Sequence, residues 1–114
     1  MKEVFIELLA FARYREQYLD DNGYHVLQDL LMECPEAGNV IVGAGAVRKL
    51  RFGDVRRGKG KRGGLRVIYY YWTGGPEFWL LGLYNKDEMS DLTPGQRAIL
   101  KERVKSELQA RVMP

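Results

Sequence analysis

RKLRFGDVRRGKGKRGGLR, residues 48–66, holds nine of the chain's 18 Lys and Arg and one of its 15 acids, Asp54. Its net charge is therefore +8, which leaves nine bases and 14 acids, a net of −5, for the rest of the chain. Charge placed only for solvation would spread over the surface, so this clustering points to an anionic partner, of which nucleic acid is the usual one. The stretch is also ordered. Residues 47–52, VRKLRF, alternate apolar and basic as a strand does. LRVIYYYW at 65–72 is rich in β-branched and aromatic residues. The segment between them is too glycine-rich and too charged for regular structure. Two strands joined by a long basic loop are expected.

On the N-terminal side, residues 4–8 read as a short strand. From Leu9 the pattern turns helical, with Leu9, Phe11, Ala12, Tyr14, Tyr18 and Leu19 near a period of 3.6. Asp20, Asp21 and Asn22 are candidate caps for a second helix, which carries Tyr24, Val26, Leu27, Leu30, Leu31 and Cys34 and is ended by Pro35. VIVGAGA at 40–46 lacks the lysine and Ser/Thr of a phosphate-binding P-loop and reads as a connection. On the C-terminal side, TGGP at 73–76 is a turn, and residues 77–84 form a strand antiparallel to 65–72. Thr93, Pro94 and Gln96 have the spacing of a capped helix start, and the last helix places Ile99, Leu100, Val104 and Leu108 on one face. The expected fold class is α+β, in one domain spanning residues 1–114. An N-terminal helix hairpin packs on a small antiparallel sheet of three or four strands, closed by a C-terminal helix.

A chain of 114 residues with 46% hydrophobic and 29% charged side chains can bury a core without metals or disulfides. One cysteine, Cys34, allows no internal disulfide and suits a reducing compartment. Neither a signal peptide nor a membrane span is readable, so a cytoplasmic protein is expected, with no membrane partner. One histidine and one cysteine exclude a metal site of the His/Cys type, and no cofactor is expected. His25 reads as a surface or core-rim residue, and Cys34 as a small packing residue.

Chemistry is left to the basic segment. Strand periodicity puts Lys49 and Arg51 on one face, with Arg48, Leu50 and Phe52 on the other. If Leu50 and Phe52 face the core, Lys49 and Arg51 lie side by side on the open face. Arg66 shares its strand face with Ile68 and Tyr70. Fixed cations on a sheet suit a phosphate backbone, and aromatic rings can stack on unpaired bases. Tyr69, Tyr71, Trp72, Phe78 and Trp79 are expected mainly in the core.

The order of strand, helix pair, RKLRF at 48–52, basic glycine loop, GGLRVIY at 63–69, LYNK at 83–86 and a final helix after Leu92 and Thr93 resembles the RelE/ParE toxin superfamily. Within it the chain is most similar to the HigB-type toxins of bacterial toxin–antitoxin operons. The resemblance implies a RelE-like fold and a ribosome-dependent mRNA endonuclease that enters the ribosomal A site. It implies a cognate antitoxin with a helix-turn-helix domain as partner. By matching position, it assigns the catalytic cations to Lys49, Arg51, Arg66 and Lys86. It departs after the last strand, where Lys86 is followed by Asp87, Glu88 and Met89, and the closest tyrosine is Tyr84.

Metal-free RNA cleavage needs the 2′-OH deprotonated, a doubly charged transition state stabilised and the 5′-oxygen protonated. Arg51 and Arg66 suit clamping of the phosphate, and Lys49 or Lys86 suits proton transfer. Asp87 or Glu88 is an alternative base. Arg48, Arg56, Arg57, Lys59, Lys61 and Arg62 are expected to grip RNA without doing chemistry. The competing readings are a gyrase poison of the ParE branch and a non-enzymatic basic nucleic-acid-binding module.

Overall fold

The computed structural model describes residues 4–53 and 64–112. Two neighbouring strands run antiparallel where the alternation of 47–52 and the apolar run of 65–72 mark them. They are β3 (Arg48–Phe52) and β4 (Leu65–Trp72), with Leu50 opposite Val67 and Phe52 opposite Leu65. β5 (Glu77–Asn85) returns antiparallel across the 73–76 turn. Its register slips between Ile68 and Tyr69, where one extra β5 residue, Leu81, bulges.

The expected small antiparallel sheet behind a helix hairpin is corrected in two respects. Among the described residues the sheet has five strands and is mixed, in the order β1-β5-β4-β3-β2. β1 (Val4–Glu7) precedes the helices and runs parallel to β5, with Phe5 opposite Phe78. A parallel partner needs a long crossover, and here the chain from Leu8 to Pro76 supplies it. At the other edge the two residues of β2 (Asn39–Val40) pair with β3.

The sheet is covered on both faces. α1 (Leu9–Tyr18) and α2 (Asp21–Glu33) place Phe11, Leu27 and Leu31 on a face made by Leu50, Phe52, Val67, Tyr69 and Phe78. Asp20 is the cap of α2, its carboxylate accepting from the Gly23 N–H at 2.7 Å. The opposite face, with Ile68, Trp79 and Leu81, is covered by α3 (Pro94–Val112) through Val104, Leu100 and Leu108, and by Ile41, Ala44 and Val47. Ile99, expected on the inner stripe of α3, is 64% exposed. The start of α3 is the capping box expected from its spacing. Thr93 Oγ1 accepts from Gln96 N–H at 3.1 Å, and Gln96 Oε1 accepts from Thr93 N–H at 2.8 Å.

Candidate nucleic-acid interface

The alternation in β3 has a direct consequence. Leu50 and Phe52 are buried toward α1 and α2, which turns Lys49 and Arg51 to the α3 face. Arg66 lies directly opposite Arg51 and shares that face with Ile68 and Tyr70. α3 does not cover this end of the sheet. A cleft of about 410 Å³ is left between the sheet, the 39–42 segment, the loop after β5 and the first turn of α3. Lys49, Arg51, Arg66 and Lys86 all line it, together with Arg97 and Asp91.

The cations differ in how they are held. Arg66 is 6% exposed and donates to the Gly64 carbonyl at 3.1 Å. Arg51 and Lys86 are exposed. Lys49 Nζ donates to Asp91 Oδ1 at 3.1 Å, and Arg97 Nη2 donates to Asp91 Oδ2, also at 3.1 Å. The Leu92 N–H and the Lys49 ammonium together hold the Asp91 carboxyl below the usual carboxylate range. Tyr84, opposite Arg66 on β5, is 7% exposed. Burial pushes its hydroxyl above the ordinary tyrosine value; Asp91 adds to that, and Arg66 and Arg97 oppose it. The hydroxyl has no hydrogen-bond partner among the described residues.

Arg48 is not part of the cleft. It donates to the Gly38 carbonyl at 2.7 Å and lies 3.5 Å from the Glu36 carboxylate, clipping the 36–38 turn to β3. Arg56, Arg57, Lys59, Lys61 and Arg62 lie outside the described residues. Glu88 is committed elsewhere: its Oε1 accepts from the Asn85 N–H at 2.9 Å and from the Tyr18 hydroxyl at 2.7 Å. His25 is solvated, 3.5 Å from Asp29. Cys34 is exposed rather than packed, because it follows the last inward position of α2 as its C-cap. Of the aromatic residues, Tyr69, Phe78 and Trp79 are fully buried, whereas Tyr71 and Trp72 are half-buried.

Sequence reasoning missed Asp91 and Arg97. Both flank the Thr93–Gln96 box, and that box was the available signal, because it marks where α3 begins. What it does not encode is that α3 begins beside β3.

Five cations around an open cleft can bind a phosphodiester and neutralise charge that develops on it. The arginines offer forked donors and the lysines offer protons that move. No protein-family model matches the chain. Among the described residues, no helix is long and apolar enough to cross a membrane.

Proposed function

We propose that the protein is a ribosome-dependent endoribonuclease, the toxin of a toxin–antitoxin pair, which cuts mRNA without a metal and so stops translation in the cytoplasm. One observation carries the reading. Lys49, Arg51, Arg66 and Lys86, drawn from three strands or their ends, line the same cleft. Like charges repel, and one carboxylate, Asp91, stands among these cations, so gathering them in one cleft suits the holding of an anion there.

In this mechanism the 2′-oxygen attacks the adjacent phosphorus and the bond from phosphorus to the 5′-oxygen breaks. The products are a 2′,3′-cyclic phosphate and a free 5′-OH. One proton leaves the 2′-OH and one reaches the departing oxygen. Arg51 and Arg66 grip the non-bridging oxygens, where negative charge builds in the transition state. Lys49 and Lys86 are the groups able to pass protons. Asp87 and Glu88 are set aside as bases because neither lines the cleft, and Glu88 Oε1 accepts from Tyr18 and Asn85 instead. The basic residues at 56–62 bind ribosomal RNA, and a small helix-turn-helix antitoxin neutralises the toxin.

The test is a translating extract given the purified protein, with the message mapped by primer extension, with and without assembled ribosomes. Cuts inside translated codons only when ribosomes are present are expected, and a folded Arg66→Ala variant makes none. Intact message with normal translation would overturn the nuclease and turn attention to gyrase. Cleavage by Arg66→Ala at the wild-type rate would remove Arg66 from the mechanism.

A further inference from the structure

Asp91 spans two cations of the cleft, one oxygen to each: Oδ1 to Lys49 Nζ and Oδ2 to Arg97 Nη2, both at 3.1 Å. The three side chains come from β3, the loop after β5 and the first turn of α3, so this bridge is tertiary and not a helix-surface pair. A carboxylate that gives one oxygen to each of two cations occupies them as two oxygens of a phosphodiester would. Other donors in this corner lack an acceptor. The Tyr84 hydroxyl and Arg97 Nε are buried atoms with no hydrogen-bond partner among the described residues. Buried polar groups are nearly always paired, so two orphaned donors beside one carboxylate are unusual. Tyr84 lies within electrostatic reach of Asp91, Arg66 and Arg97. Arg97 Nη1 reaches the Val42 carbonyl at 3.4 Å, but its Nε and the Tyr84 hydroxyl have no such acceptor, and a phosphate oxygen is one.

We propose that Arg97 is a phosphate ligand of the cleft and that Asp91 is its resident competitor, a carboxylate that an incoming RNA phosphate displaces from Lys49 and Arg97. The inference rests on the nucleic-acid reading of the cleft and adds a ligand and a selectivity device to it. Asp91 is well placed to leave, since its side chain is half exposed on a loop. A small anion must break two ion pairs to enter and gains little in return. A polynucleotide that also engages Arg51 and Arg66 replaces those pairs with several contacts at once. The carboxylate thereby keeps free phosphates and mononucleotides out while admitting a chain.

The experiment compares wild-type protein with Asp91→Asn, Asp91→Ala and Arg97→Gln. Binding of inorganic pyrophosphate is followed by calorimetry, and binding of a 2′-O-methyl RNA oligonucleotide, which resists cleavage, by fluorescence anisotropy. Both Asp91 variants are expected to bind pyrophosphate about three- to tenfold more tightly, the range that losing two partly exposed ion pairs implies. Adding Arg97→Gln should cancel that gain, and Arg97→Gln alone should weaken RNA binding several-fold. Unchanged or weaker pyrophosphate binding in both Asp91 variants, with wild-type melting curves, would overturn the competitor. RNA affinity unaltered in Arg97→Gln would overturn the ligand. Tighter pyrophosphate binding with no RNA binding by any variant would retain the competitor and discard the nucleic-acid reading. Flat Asp91 data alongside RNA cleavage that depends on Arg66 would do the reverse.

Discussion

Arg51 and Arg66 stand directly opposite one another on β3 and β4, two guanidinium groups on one face of the sheet. Like charges at directly opposite positions cost roughly 0.2–1 kcal/mol. Arg51→Thr relieves that repulsion and puts a β-branched residue into the strand. The variant is expected to be more stable to urea by a free energy within that range and, on the nuclease proposed above, to lose RNA cleavage by about a hundredfold or more, the usual effect of removing a donor to developing charge. Urea titration and a cleavage assay on the same sample measure both. A variant that is less stable would show that the opposed pair is held for structure.

Tyr84 makes the same kind of trade. Its hydroxyl is buried and has no partner among the described residues. An unsatisfied buried hydroxyl costs about 1–3 kcal/mol. Tyr84→Phe should therefore raise stability by about 1 kcal/mol while weakening pyrophosphate binding in the cleft. Loss of stability in this variant would mean that the hydroxyl is satisfied in solution.

Gly38 and Gly82 should respond in opposite ways to alanine. A Cβ at Gly38 would sit 2.9 Å from the Tyr69 ring and 3.0 Å from the Lys49 carbonyl. Neither can withdraw freely, because the Tyr69 hydroxyl donates to the Pro35 carbonyl and accepts from the Gly38 N–H, both at 2.9 Å. Gly38→Ala is expected to cost about 1–3 kcal/mol through overpacking. A Cβ at Gly82 would meet nothing within 4 Å. Gly82→Ala should stabilise by about 0.4–1 kcal/mol, chiefly by restricting the unfolded chain. Thermal melts of the two variants would separate in opposite directions from wild type.

Alkali should unfold the protein earlier than its tyrosine content alone would suggest. Burial pushes the phenols of Tyr24, Tyr69 and Tyr84 above the ordinary value, with the Glu7 carboxylate adding to the effect at Tyr24. A folded-state pKa above the unfolded one gives stability that is complete below about pH 10 and is lost as pH rises through the folded value. Ultraviolet titration at alkaline pH should show a late, cooperative group of phenols that ionise with unfolding, and Tyr84→Phe should move the alkaline midpoint upward. On the acid side the sign reverses. The depressed Asp91 contributes stability above about pH 4 that fades as pH falls through its folded value, and Asp91→Asn should flatten that limb slightly.

Much of the fold is local enough to be read from order and period. The 47–52 alternation names the faces of β3, the run Asp20 to Asn22 and Thr93 mark where α2 and α3 begin, and the turn at 73–76 pairs β4 with β5. The same alternation picks out Lys49 and Arg51, because turning Leu50 and Phe52 to a core leaves the residues between them on the other face. Ile99 shows the limit. Its spacing suits the inner stripe of α3, yet that helix leans on the sheet through Leu100, Val104 and Leu108, and Ile99 falls outside the contact.

By itself, the sequence determined an α+β chain with a basic hairpin whose strand faces and helix caps follow from side-chain chemistry. Only the tertiary structure decided that β1 joins β5 in parallel, since that pair is separated by some seventy residues and no local pattern encodes it. Only the tertiary structure decided, too, that α3 begins where Arg97 and Asp91 reach Lys49. Periodicity says which way a side chain faces. What it faces depends on how distant elements fill one another's surfaces, and that is settled by packing across the whole core.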